Sequence, residues 1–223
     1  SNDFLSKAPV TLTLEKSLSS NKVLRNTYML LAMTLLFSAL TAGVAIATKA
    51  QPLHWLITLG GYFGFLFAVT KLRNSAWGLA AVFALTGFLG YTLGPILSLY
   101  LSLPNGSQVV MTALGGTGVI FLALSAYALV SRKDFSFMAG FLMVGLLVAV
   151  LASLAAVLFS LPALSLAVSA MMILLMSGMI LWQTSDIIHG GETNYIMATV
   201  SLYISLFNLF TSLLHILGVM SDD

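Results

Sequence analysis

Cysteine is absent from this chain and charge is scarce: acidic and basic residues together make up only 7% of it. The first absence removes disulfides and thiol catalysis, and leaves histidine and carboxylates as the available metal ligands. The second sets the chain far below the roughly one-quarter charged content of a soluble domain. Catalytic signatures are missing as well. There is no Gly-x-Ser-x-Gly, no His-Glu-x-x-His and no cofactor or nucleic-acid motif. The first twenty residues lack the ordered basic, apolar and small-residue segments of a signal peptide. What remains is apolar: 59% hydrophobic residues and a mean hydropathy of +1.03. That balance predicts an all-α membrane protein.

A spanning helix needs about 20 mostly apolar residues. Seven stretches qualify, at 27–48, 53–70, 76–101, 108–130, 137–159, 162–182 and 195–217. The domain reading is therefore a polar tail over 1–24, expected to be disordered, and a seven-helix transmembrane domain over 25–223. Basic residues fix the expected orientation. Lys7, Lys16, Lys22 and Arg25, then Lys71 and Arg73, then Arg132 and Lys133 fall on one side of a seven-helix topology, against Lys49 alone on the other. By the positive-inside rule the N-terminus lies in the cytoplasm and the C-terminus, ending Asp222-Asp223, on the periplasmic side.

The stretch of greatest interest is the last helical hairpin. Its turn is read as Ser185-Asp186-Ile187-Ile188-His189-Gly190-Gly191-Glu192, holding two of only seven acids in the chain. Beyond it, Ser201, Ser205, Asn208, Ser212 and His215 recur at helical spacing, so five hydrogen-bonding side chains share one stripe of an apolar helix. In the preceding helix Ser165, Ser169, Met172, Met176, Met179, Gln183 and Asp186 form a second stripe. Folding the hairpin about Asn194 brings Gln183 and Ser205 to a common depth, each eleven positions from the turn, or about 16 Å along a helix. They are expected to face one another inside the bundle. Ser201, Asn208 and Asp186 complete the candidate polar core or pore. His54 and His215 are expected to pack or lie at the interface rather than ligate metal.

Glycines are expected to mark close helix contacts at Gly60 and Gly64, at Gly90 and Gly94, and around Gly115, Gly116 and Gly118. Gly94-Pro95 predicts a kink in the third helix. No inverted repeat is visible, which speaks against a two-repeat transporter.

Five segments in order carry a resemblance: Lys22-Val-Leu-Arg-Asn-Thr-Tyr28, Thr86-Gly-Phe-Leu-Gly-Tyr-Thr-Leu-Gly-Pro-Ile96, Arg132-Lys-Asp-Phe-Ser-Phe137, Ile187-Ile-His-Gly-Gly-Glu-Thr-Asn-Tyr-Ile196 and Ala198-Thr-Val-Ser-Leu-Tyr203. Through them the chain resembles the transmembrane Bax inhibitor motif family, most closely its bacterial YccA branch. The resemblance implies a seven-helix fold with the last helix near the centre. It also implies an inner-membrane protein that binds and modulates the ATP-dependent membrane protease FtsH without being an enzyme itself. The alternative it implies is a pH-sensitive calcium or cation leak. In leak members two aspartates on the sixth and seventh helices share protons. Gln183 and Ser205 stand at those positions here, so the acid pair is lost and the alternative is weakened. In leak members a basic residue also latches one of the aspartates, and the resemblance makes Lys71 and Arg73 the nearest candidates for that cytoplasmic basic latch here. The partners expected are thus the protease complex and the lipid bilayer, with calcium or protons tied to the alternative.

Overall fold

A computed structural model describes residues 3–222, with side chains described from Val10 onward. Ser1, Asn2 and Asp223, and the side chain of Lys7 invoked for orientation, lie outside the described residues. Seven helices long and apolar enough to cross a membrane follow one another: α1 (Asp3–Ala47), α2 (Trp55–Leu72), α3 (Trp77–Leu101), α4 (Gly106–Ser131), α5 (Ala139–Leu158), α6 (Pro162–Ile188) and α7 (Tyr195–Ser221). A single 3-10 turn, Ser136–Met138, leads into α5. Strands are absent among the described residues.

The last helix is the hub. Helix α7 touches α1, α2, α3, α4 and α6, whereas α5 packs on α6. Fully buried Leu202, Tyr203, Leu209 and Leu214 line its length. Outward positions on the other helices are large and apolar, as on α5 at Phe141, Leu147, Leu151 and Leu158, which suits hydrocarbon rather than water.

Two boundaries differ from the sequence reading. The first helix does not begin at Thr27, nor is the segment before it disordered: α1 runs unbroken from Asp3. From Val10 to Thr27 no glycine or proline stops it, and Leu12, Leu14, Glu15, Lys16 and Leu18 all favour helix. The sixth helix does not end at Trp182 but at Ile188. Its polar residues find partners without leaving the helix: the Thr184 hydroxyl donates to the Ile180 carbonyl at 2.8 Å, and Gln183 and Ser185 bond other elements. Ser185 and Asp186 are therefore helical, and the turn is only 189–194.

The glycine expectations divide. At Gly90 and Gly94 an added Cβ would strike Ser38 and Ala45 of α1, so these glycines let α1 and α3 approach. At Gly60, Gly64, Gly115 and Gly118 nothing lies within 4 Å, and Gly116 meets Leu213 only at an ordinary 3.5 Å. Those positions make no close contact, which corrects the expectation. Spacing in the sequence reveals that glycines share a face, but not whether that face meets a helix. Helix α3 continues through Pro95 to Leu101.

Candidate functional site

Two loops at one end of the bundle, α2–α3 and α4–α5, converge on the start and finish of the α6–α7 turn. The turn ends α6 with a Schellman motif. Gly190, at φ +80, takes the left-handed conformation; its N–H donates to the Ile187 carbonyl at 3.2 Å and that of Gly191 to the Asp186 carbonyl at 2.8 Å. A Cβ at Gly191 would overlap the Asp186 carboxylate, so this glycine lets the acid fold over the turn.

Asn194 then begins α7. Its Oδ1 accepts from the N–H groups of Ile196 at 3.0 Å and Met197 at 3.1 Å, satisfying two of the free donors of a helix start. Its Nδ2 donates to the Arg73 carbonyl at 3.1 Å and to Asn74 Oδ1 at 3.0 Å, and its own N–H reaches Glu192 Oε1 at 2.9 Å. One side chain thus caps α7 and ties it to the α2–α3 loop. On the other flank, fully buried Ser185 accepts from the Phe135 N–H at 2.9 Å and donates to the Lys133 carbonyl at 3.1 Å, fixing the α4–α5 loop. In that loop Asp134 Oδ1 accepts from the Ser136 N–H at 2.9 Å. This backbone hydrogen bond holds its carboxyl below the ordinary carboxylate range, with the Ser136 side chain and His189 adding to the effect.

Deeper in the bundle, the Ser205 hydroxyl donates to Gln183 Oε1 at 3.0 Å, and both side chains are buried. The depth expected from the hairpin is realised in this contact. Ser201 contributes its carbonyl, which also accepts from Ser205 at 3.1 Å. The remaining candidates are not gathered around this pair. Asn208 bonds the Ile204 carbonyl at 2.9 Å and lines a separate cavity of about 720 Å³ between α2, α3 and α7. Asp186 sits at the turn. Lys71 lies 5.5 Å from the Phe67 ring and Arg73 offers its backbone carbonyl to Asn194; no bond joins either basic side chain to Asp186. Farther along, His215 Nδ1 and the Ser169 hydroxyl are 2.6 Å apart, an interhelical bond between the two predicted stripes.

Sequence reasoning missed three participants. Asn194 bore the signal of a helix cap, a polar residue directly before an apolar run. Ser185 had no such signal, because its partners are 50 and 52 positions away. The third is a node of Ser38, Thr86 and Tyr203: the Ser38 hydroxyl lies 2.5 Å from both the Thr86 carbonyl and the Tyr203 hydroxyl, joining α1, α3 and α7. No group of three or more histidine, aspartate and glutamate side chains stands together as a metal site among the described residues.

A seven-helix bundle organised round its last helix, with a neutral α6–α7 contact, defines a polytopic helical membrane protein. Residues 20–222 match the family described as inhibitor of apoptosis-promoting Bax1, and the chain belongs to that family. Among its relatives is a protein of Escherichia coli named modulator of FtsH protease YccA, 53% identical over 206 residues, covering 92% of this chain and 94% of the relative. An uncharacterized Pseudomonas aeruginosa protein is 54% identical over 201 residues, 90% of each chain, and an uncharacterized membrane protein of Vibrio cholerae is 47% identical over 214, 96% of each. Seven spanning helices and likeness to the inner-membrane protein YccA make this a multi-pass inner-membrane protein.

Proposed function

We propose that this chain is a non-enzymatic regulator that binds an FtsH-type ATP-dependent protease in the inner membrane and restrains its proteolysis. The observation that carries this reading is 53% identity across 94% of a protein named as a modulator of that protease. Orientation by the basic residues puts the α6–α7 turn in the cytoplasm. On that side the start of α1 presents Val10, Leu12, Leu14 and Leu18, each at least 58% exposed. In this reading residues 1–24 are the handle that the protease engages, and the seven helices supply the membrane contact. Lys71 and Arg73 serve to orient the chain rather than to latch Asp186.

The polar core supports regulation by contact over conduction. A Gln183–Ser205 hydrogen bond carries no charge to match a divalent ion and does not titrate near neutral pH. Gln183, Ser205, Ser201 and Asn208 act in this reading as interhelical and intrahelical polar bonds, with Asp186 as part of the turn. Co-purification with the protease after mild solubilisation tests the proposal. The full chain is expected to be retained and a chain lacking residues 1–18 to be retained less. If the full chain is not retained, the proposal fails.

A further inference from the structure

The cavity of about 720 Å³ between α2, α3 and α7 begins at Gln51 and Pro52 in the α1–α2 loop, the end of the bundle opposite the α6–α7 turn. It reaches Asn208, the middle residue of α7. Helical rise puts Asn208 about 20 Å from the end of α7 at Ser221, and so near the centre of the hydrocarbon. Beyond Asn208, toward the turn, the bundle is closed. Val82, Leu85 and Leu202 are fully buried there, and Ser205 is bonded to Gln183.

Polar groups in the cavity wall lack a protein partner. Asn208 donates from Nδ2 to the Ile204 carbonyl, but its Oδ1 accepts no hydrogen bond among the described residues. The hydroxyls of Tyr62 and Tyr91 make none either. Pro95, also in the wall, has no N–H, which takes one helical hydrogen bond away from the Tyr91 carbonyl. These groups stand behind an apolar rim. Tyr62, Tyr91 and Asn208 are half-buried, whereas Leu59, Phe63, Ile96 and Leu99, which also line the cavity, are exposed.

The unpaired groups decide the occupant. Polar groups without partners are not tolerated in hydrocarbon. An acyl chain has no donor or acceptor to offer. A neighbouring helix keeps its backbone bonds within itself, and the outward faces of a second copy carry large apolar side chains. Water both donates and accepts, and the space is far above the roughly 10–15 Å³ that one molecule requires. No aspartate, glutamate, lysine, arginine or histidine lines the cavity, so nothing there matches the charge of an ion. We infer that this cavity is a water-filled vestibule, continuous with solvent at the α1–α2 loop, with Asn208 binding water at its floor.

The chain has no cysteine, so a single introduced cysteine can carry a nitroxide label without further change. Thr92→Cys on α3 and Thr211→Cys on α7 place the label in the cavity, and Leu147→Cys places it on the outward face of α5. Power-saturation EPR of the full chain in nanodiscs compares collisions with a water-soluble nickel chelate and with oxygen, which concentrates in hydrocarbon. The nickel chelate is expected to dominate at positions 92 and 211, and oxygen at position 147. Either cavity position decides the matter if the other variant does not fold. With Asn208→Leu added, the label at position 211 is expected to lose most of its nickel accessibility; an unchanged value overturns the role given to Asn208. Oxygen dominating at either cavity position, as on α5, overturns the inference in favour of lipid. Low accessibility to both reagents overturns it too, because a helix or a second copy then covers the site.

Discussion

Asn194 joins two jobs that can be separated by substitution. Its Oδ1 caps α7, and its Nδ2 holds the α2–α3 loop through Arg73 and Asn74. Alanine removes both. A lost N-cap costs about 1 kcal/mol. Two further side-chain hydrogen bonds would contribute roughly 0.5–1.5 kcal/mol each if buried; because these are exposed, about 1 kcal/mol for the two together is the expected figure. Asn194→Ala is therefore expected to cost about 2 kcal/mol. Asn194→Asp keeps an oxygen for the cap but has no N–H for the loop, so it is expected to cost about 1 kcal/mol. For a chain of this length each kcal/mol corresponds to roughly 2–4 °C in melting temperature. Thermal unfolding in mild detergent, followed by circular dichroism, should thus show a drop of about 4–8 °C for alanine and about half of that for aspartate. Equal drops for the two variants, or none for alanine, would refute the division of labour.

Other outcomes follow from the same structure. A double-mutant cycle of Ser205→Ala with Gln183→Leu should return a coupling of about 0.6 kcal/mol, the usual size for a hydrogen bond between membrane helices, measured by unfolding in mixed micelles. Gly90→Leu should prevent close packing of α1 on α3 and give no folded monomer by size-exclusion chromatography, whereas Gly60→Ala, with free space around it, should be neutral or raise stability by about 0.5–1 kcal/mol. Asp134 has its folded pKa depressed, so whatever stability its charge contributes is present above its unfolded pKa and is lost as pH falls through the folded value. The melting difference between the native chain and Asp134→Asn should accordingly hold at pH 5 and above, begin to shrink as pH falls through the ordinary aspartate range at about 4, and vanish only in stronger acid, below the depressed folded value. Ser125, whose buried hydroxyl has no partner, should tolerate Ser125→Ala with stability unchanged or raised, read by the same melts.

Hydropathy made the seven helices legible because the bilayer requires long apolar runs with few alternatives. The Gln183–Ser205 contact was legible for a related reason: a tight helical hairpin equates depth with distance from the turn. The α1 start was misread because polarity was taken for disorder, although Leu12 to Leu18 contain good helix formers and no breaker. Polarity likewise made the end of α6 look like a turn, when its side chains bond partners from other elements. Contacts of Ser185 with Phe135 and of Ser38 with Tyr203 join residues 50 and 165 positions apart, and a single sequence holds no trace of such pairings. The glycines show the same limit: identical spacing makes a crossing at Gly90 and Gly94 and none at Gly60 and Gly64.

The central claim concerns restraint of a membrane protease. Purified FtsH-type protease reconstituted in liposomes with a membrane-anchored substrate gives a degradation rate, measured with and without this protein in the same bilayer. The account predicts slower substrate turnover as the protein is added. A turnover rate unchanged at a several-fold excess of the protein would contradict it.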